Sequence, residues 1–121
     1  SGTTNLIKVH VVGHVLMKGK SINDKVVSGN LCVCKTASEL LHNYKPGDII
    51  VIEETNNEMM PQLRTASALI VEKGGLSSHA AVVGMSLDIP VLLEAKNATE
   101  ILKQGAFVTV DSKKGIVYAN K

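Results

Sequence analysis

The stretch Ile49-Ile50-Val51-Ile52 constrains the fold of this chain more than any other. A strand with one wet face alternates apolar and polar residues, because successive side chains point to opposite sides. Four apolar residues in a row call instead for a strand covered on both faces.

The segments around it read as short strands and helices. Leu6 to Val12 (LIKVHVV) alternates Ile7, Val9 and Val11 with more polar positions and predicts a strand. Lys18 to Ser28 is polar, contains Gly19, Asn23 and Asp24, and reads as a linker or long loop. Asn30 to Lys35 predicts a second strand. Thr36-Ala37-Ser38-Glu39 is a capping box opening a helix to about Tyr44, closed by Pro46-Gly47. Pro61 starts a short helix through about Ser67, and Ala68 to Glu72 returns as a strand. A helix capped by Ser77 or Ser78 runs through about Leu87, with Ala80, Val83 and Leu87 at the spacing of a buried face. Ile89 to Leu93 follows as a strand. Asn97-Ala98-Thr99-Glu100 repeats the capping-box pattern and opens a helix to Lys103. Phe107 to Val110 and Ile116 to Tyr118 form a hairpin turned at Gly115. The expectation is one α/β domain over residues 29–121. Residues 1–28 are expected to be a strand of something upstream plus a linker.

A chain of 121 residues suffices for one domain with a modest core. Only Tyr44, Phe107 and Tyr118 are aromatic, so the core is built from aliphatic side chains. The net charge of +2 is scattered, and the basic stripe with stacking aromatics that nucleic acids require is missing. No apolar run approaches the ~20 residues that span a bilayer, which argues against a membrane partner. No signal-peptide pattern is present, and Ser1-Gly2 resembles the remnant of a tag. The expectation is an excised piece of a cytoplasmic protein. Cys32 and Cys34 share one face of a strand without further ligands nearby, which reads as a pair of buried thiols rather than a metal site.

Chemistry concentrates in GGLSSHAAVVG, Gly74 to Gly84. The first N–H groups of a helix lack partners within it, and the helix dipole adds positive charge there, so a phosphate placed at that end is stabilised. Gly74 and Gly75 allow close backbone approach, and Ser77 and Ser78 add hydroxyls. His79 at that position is a nucleophile near neutral pH and can carry a phosphoryl group. Glu72, ending the preceding strand, can orient His79 or a serine. A bland reading stands beside this one: paired glycines make turns, and a histidine at a helix start is often a packing residue. Neither the Walker pattern nor the dinucleotide fingerprint occurs.

Residues 68 to 118 resemble the swivelling phosphohistidine domain of the phosphoenolpyruvate-utilising enzymes, among them pyruvate phosphate dikinase and phosphoenolpyruvate synthase. Glu72, Gly74-Gly75, Ser78-His79-Ala80, Ile89-Pro90, Asn97-Ala98-Thr99 and Val110-Asp111 carry the resemblance. It implies a compact three-layer β/β/α fold with His79 at the phosphorylated position. Ser77 replaces the family's usual threonine and Glu94 its usual glycine. Asp88 replaces another glycine, which predicts a left-handed residue at the helix end. Thr3 to Gly13, TTNLIKVHVVG, is similar to the last strand of the C-terminal domain of pyruvate kinases. Together these resemblances imply the extra C-terminal domain of a bacterial pyruvate kinase.

The implied role is that of an accessory domain, structural, assembling or regulatory, with His79 a vestigial phosphate site. The parent's transfer from phosphoenolpyruvate to ADP would occur in a separate barrel that holds magnesium and potassium, within a homotetramer. The partners are then the remaining domains of the parent and a phosphate or phosphorylated effector. The alternatives are an active phosphoryl carrier through phospho-His79 and a plain anion-binding module.

Overall fold

The computed structural model describes residues 13–119. Eight strands form one continuous sheet: β1 (Val15–Lys18), β2 (Lys20–Ser21), β3 (Val26–Val33), β4 (Ile49–Ile52), β5 (Ala68–Val71), β6 (Val91–Leu93), β7 (Phe107–Asp111) and β8 (Ile116–Ala119). Four helices accompany them: α1 (Ala37–Asn43), α2 (Met60–Leu63), α3 (His79–Leu87) and α4 (Ala98–Ile101). A 3-10 turn, Asn57–Met59, precedes α2.

The strand order is β1-β8-β7-β3-β4-β5-β6-β2. Its long central strand belongs to two layers. Val26 to Asn30 pairs antiparallel with β7, whereas Leu31 to Val33 pairs parallel with β4. On one side of this switch lies an antiparallel half, β1-β8-β7-β3. On the other lies a parallel half, β3-β4-β5-β6, edged by the antiparallel β2.

The buried residues of β4 alternate between two cores. Ile49 and Val51 join Val108, Val110 and Val117 in a core between the two halves of the sheet. Ile50 and Ile52 join Leu40 of α1, Leu63 of α2 and Ala80 and Ala81 of α3 in a core beneath the helices. All four β4 residues are therefore buried, as their unbroken apolar run requires. The result is the expected three-layer β/β/α arrangement. Cys32 and Cys34 lie in the helix-side core with their sulfurs 3.5 Å apart. Burial pushes the Cys34 thiol up to about 12.

Local signals hold where they are strong. The Thr36 hydroxyl accepts from Glu39 N at 3.0 Å, and Glu39 reaches back to Lys35 N at 2.8 Å. Asp88 ends α3 with φ 57°, the left-handed conformation its position predicts. Gly115 turns the β7–β8 hairpin at φ 70°. The helix begun near Pro61 is shorter than expected and stops at Leu63.

Residues 18–28, expected as a linker, hold β2 and the start of β3 and pair into the same sheet. Gly19 alone separates β1 from β2, which stand at opposite ends of the strand order. Its N–H bonds Gly115 O at 2.9 Å, and a Cβ there would lie 2.9 Å from Leu93 O. The chain turns a corner at this glycine, so a single residue joins the two outermost strands of the sheet. The strand expected at Leu6 to Val12 lies outside the described residues.

Candidate functional site

The parallel neighbours β4 and β5 end at the same side of the sheet, so the loops after them lie together. In sheets of this kind, ligands gather outside the carboxyl ends of the strands. The loop after β5 carries the glycine–serine–histidine motif, and the loop after β4 reaches His79.

Gly74 adopts φ 107°, and a Cβ on it would lie 2.8 Å from the Ser78 side chain. Both observations require glycine there. Gly75 has open space around it. Ser77 is exposed. Ser78 is the N-cap of α3: its hydroxyl accepts from Ala81 N at 3.3 Å and donates to Gly75 O at 2.7 Å. The Ser78 proton is therefore committed within the loop. The amides of His79 and Ala80 have no hydrogen-bond partner among the described residues.

His79 is half-buried, and both ring nitrogens are engaged. Nδ1 lies 2.8 Å from the Thr55 hydroxyl and Nε2 lies 2.8 Å from Asn57 Oδ1. A carbonyl-type oxygen only accepts, so with this Asn57 orientation Nε2 carries the proton. Nδ1 of the neutral ring then accepts from Thr55. In the neutral ring this arrangement puts the lone pair on the Thr55 side.

The surrounding charge is mostly negative. Glu53, Glu54, Glu58 and Glu72 follow or flank the two strand ends. Lys73 is the cation of the loop, and its Nζ lies 3.1 Å from Glu53 Oε2. That hydrogen bond and charge push the Lys73 ammonium pKa up.

Glu72, expected to orient His79 or a serine, faces elsewhere. Its Oε2 accepts from Thr99 N at 2.8 Å and from the Thr99 hydroxyl at 2.6 Å. It therefore caps α4 from outside. The capping box expected at Asn97 does not form, because Asn97 sits at φ 61° with no side-chain cap bond. Glu94, at φ 53°, lines a cavity with Glu53, Glu72, Lys73, Lys96 and Asn97. Among the described residues, no group of three or more His, Cys, Asp and Glu could hold a metal ion.

The profile of the PEP-utilising enzyme mobile domain matches residues 44–115, the segment that holds His79, Thr55 and Asn57. The chain belongs to that family. Among curated relatives, a pyruvate kinase of Bacillus licheniformis is 49% identical over 121 residues, which is 100% of this chain and 21% of that protein. A phosphoenolpyruvate synthase of Aeropyrum pernix is 37% identical over 107 residues, 88% of this chain and 13% of that protein. The mobile domain thus spans about a fifth of the pyruvate kinases it matches. The fold itself recurs in aconitase X of Thermococcus kodakaraensis, with a TM-score of 0.64 at 20% identity, over 87% of this chain and 98% of that one.

Thr55 and Asn57 are the mobile-domain residues that the sequence alone did not single out. They lie 24 and 22 residues before His79. The available signal was the polar run Glu53-Glu54-Thr55-Asn56-Asn57 directly after a strand buried on both faces.

Proposed function

We propose that this mobile domain is an accessory domain of a bacterial pyruvate kinase that braces or regulates its parent, and that His79 is a retained phosphate position that no longer carries phosphoryl groups. Identity of 49% across the whole chain supports the parentage. The observation that carries the rest is the Asn57 bond to His79 Nε2. In the neutral ring this arrangement places a proton on that nitrogen and ties it to a neighbouring side chain. The Ser78 hydroxyl proton goes to Gly75 O, and Lys73 is neutralised by Glu53. A phosphate arriving beside Glu53, Glu54 and Glu58 would meet repulsion with two bare amides as its main support. Direct transfer from phosphoenolpyruvate to ADP needs no histidine relay. Magnesium and potassium would serve that transfer in the parent's barrel.

One observation favours the carrier reading. The Thr55 hydroxyl either donates or accepts, so it is compatible with both tautomers of His79. Carriage at Nε2 would need Asn57 to release the ring and the proton to move to Nδ1, with Thr55 then accepting.

Incubating the parent enzyme with phosphoenolpyruvate and reading intact mass and phosphorus NMR separates the two. No acid-labile phosphate on His79 is expected. A phosphate that His79→Ala abolishes would overturn the accessory reading.

A further inference from the structure

A second cavity opens at the other end of β4 from the loop that reaches His79. It is bounded by β3, the end of α1, the residue before β4 and the residues leading into β7, and it measures about 660 Å³. Small-molecule sites occupy roughly 300–1,000 Å³. The polar part of its wall is Asn30, His42, Asn43, Lys45, Asp48 and Gln104.

Four of these side chains are pinned to the main chain by one pole. Asn30 Nδ2 donates to Gly105 O at 3.1 Å, and Gln104 Oε1 accepts from Val33 N at 2.7 Å. Asp48 Oδ2 accepts from Lys45 N at 3.0 Å. His42 Nδ1 lies 2.7 Å from Ser38 O, and a carbonyl only accepts, so Nδ1 carries a proton. The opposite poles have no hydrogen-bond partner among the described residues. Exposed polar side chains ordinarily swing between rotamers, and a ligand must overcome that freedom. Here the main chain has already set the direction of each free pole.

The free poles are mixed in kind. Gln104 Nε2 donates, Asn30 Oδ1 accepts, and Nε2 of the neutral His42 ring accepts as well. Asn43 adds an amide that does both. A hydroxyl donates and accepts at one atom, so a ligand rich in hydroxyls satisfies such a mixture. Charge narrows the choice further. Lys45 and Asp48 are the charged side chains of the wall, one of each sign, and among the described residues no ion pair joins them. Their fields offset each other, so nothing concentrates an anion here over a neutral molecule. We propose that this cavity binds an uncharged, hydroxyl-rich small molecule of one or two sugar rings. The proposal does not depend on the state of His79.

Saturation-transfer NMR on the full-length parent, with D-glucose and maltose as probes, tests this. Half-saturation is expected at about millimolar sugar. Asn43→Ala removes a side chain that makes no hydrogen bond among the described residues, so the fold is left alone. Gln104→Ala removes the free donor. Each variant is expected to weaken binding about fivefold, the loss of one hydrogen bond. Absence of a transfer signal for both sugars overturns the proposal. So does a signal that both variants leave unchanged, which would put the sugar elsewhere on the parent. Glucose 6-phosphate and glycine serve as anionic and zwitterionic probes. Half-saturation tenfold tighter for either, and weakened by Asn43→Ala, overturns the uncharged class. A phosphate found on His79 removes the accessory reading and leaves this outcome untouched.

Discussion

Replacing Gly84 by alanine sets helix propensity against packing, and the structure says which wins. Gly84 sits in the middle of α3, where exchange to alanine ordinarily stabilises a helix by ~1 kcal/mol. A Cβ there would lie 2.1 Å from Cγ2 of Val91 and 3.3 Å from its Cβ. Carbon atoms pack best at about 3.5–4.0 Å, so α3 or β6 must retreat by more than an ångström. Val91 is fully buried, paired with Leu69 of β5, and its branched side chain has little rotamer freedom. Overpacking of a tight core costs ~1–3 kcal/mol and occasionally more, and a contact this short belongs at the upper end. The net expectation is a loss of ~2 kcal/mol. For a chain of this size the unfolding entropy is about 0.25 kcal/mol per kelvin, so Tm falls by ~8 °C. Thermal unfolding followed by circular dichroism or calorimetry reads it directly. Val91→Ala alone also destabilises, but the double variant Gly84→Ala/Val91→Ala is expected to be no less stable than Val91→Ala, because the new methyl fills the vacated space. A rise in Tm for Gly84→Ala, as propensity alone would give, refutes the reasoning.

Further expectations concern the site and the buried thiols. Asn57→Ala frees Nε2 of His79, so chemical phosphorylation of the ring by phosphoramidate, followed by phosphorus NMR, is expected to be several-fold faster than in the unaltered chain. Glu72→Ala removes the outside cap of α4 and is expected to cost ~1 kcal/mol in denaturant unfolding while leaving that phosphorylation rate unchanged. An effect on His79 would restore Glu72 to an orienting role. Burial raises the Cys34 thiol from its ordinary value of 9.0 to about 12, so the folded chain holds this proton where the unfolded chain loses it. The contribution is complete below pH 9, declines as pH rises through the window from 9 to 12, and is lost above it. Tm should therefore fall over that range, and fall less steeply in Cys34→Ala.

How much of this was legible depended on where each signal resided. The parallel strands β4 and β5 announce themselves because burial on both faces leaves no polar residue among Ile49–Ile52 or Ala68–Val71. The caps at Thr36 and Ser78 were equally plain, since each hydroxyl serves an amide three residues away. Residues 18–28 misled for the opposite reason. β2 has only Lys20 and Ser21, and its partner is β6, more than seventy residues later. Such a strand exists through its pairing, not through its own propensity. The α4 cap failed likewise: Asn97-Ala98-Thr99-Glu100 has the spacing of a capping box, but Glu72 arrives from β5 and takes Thr99. The histidine was found in the sequence, yet the side chains that decide its state lie on another loop. Parallel pairing of β4 with β5 brings Thr55 and Asn57 to it, and only the assembled sheet reveals that.

The bond between Ala119 N and His14 O brings the first and last described strands together at one spot. A module whose two ends meet can be spliced into a longer protein without prying its host apart. It behaves as a pendant, free to be shared among unlike architectures. A match to it takes up 21% of a pyruvate kinase and 13% of a phosphoenolpyruvate synthase.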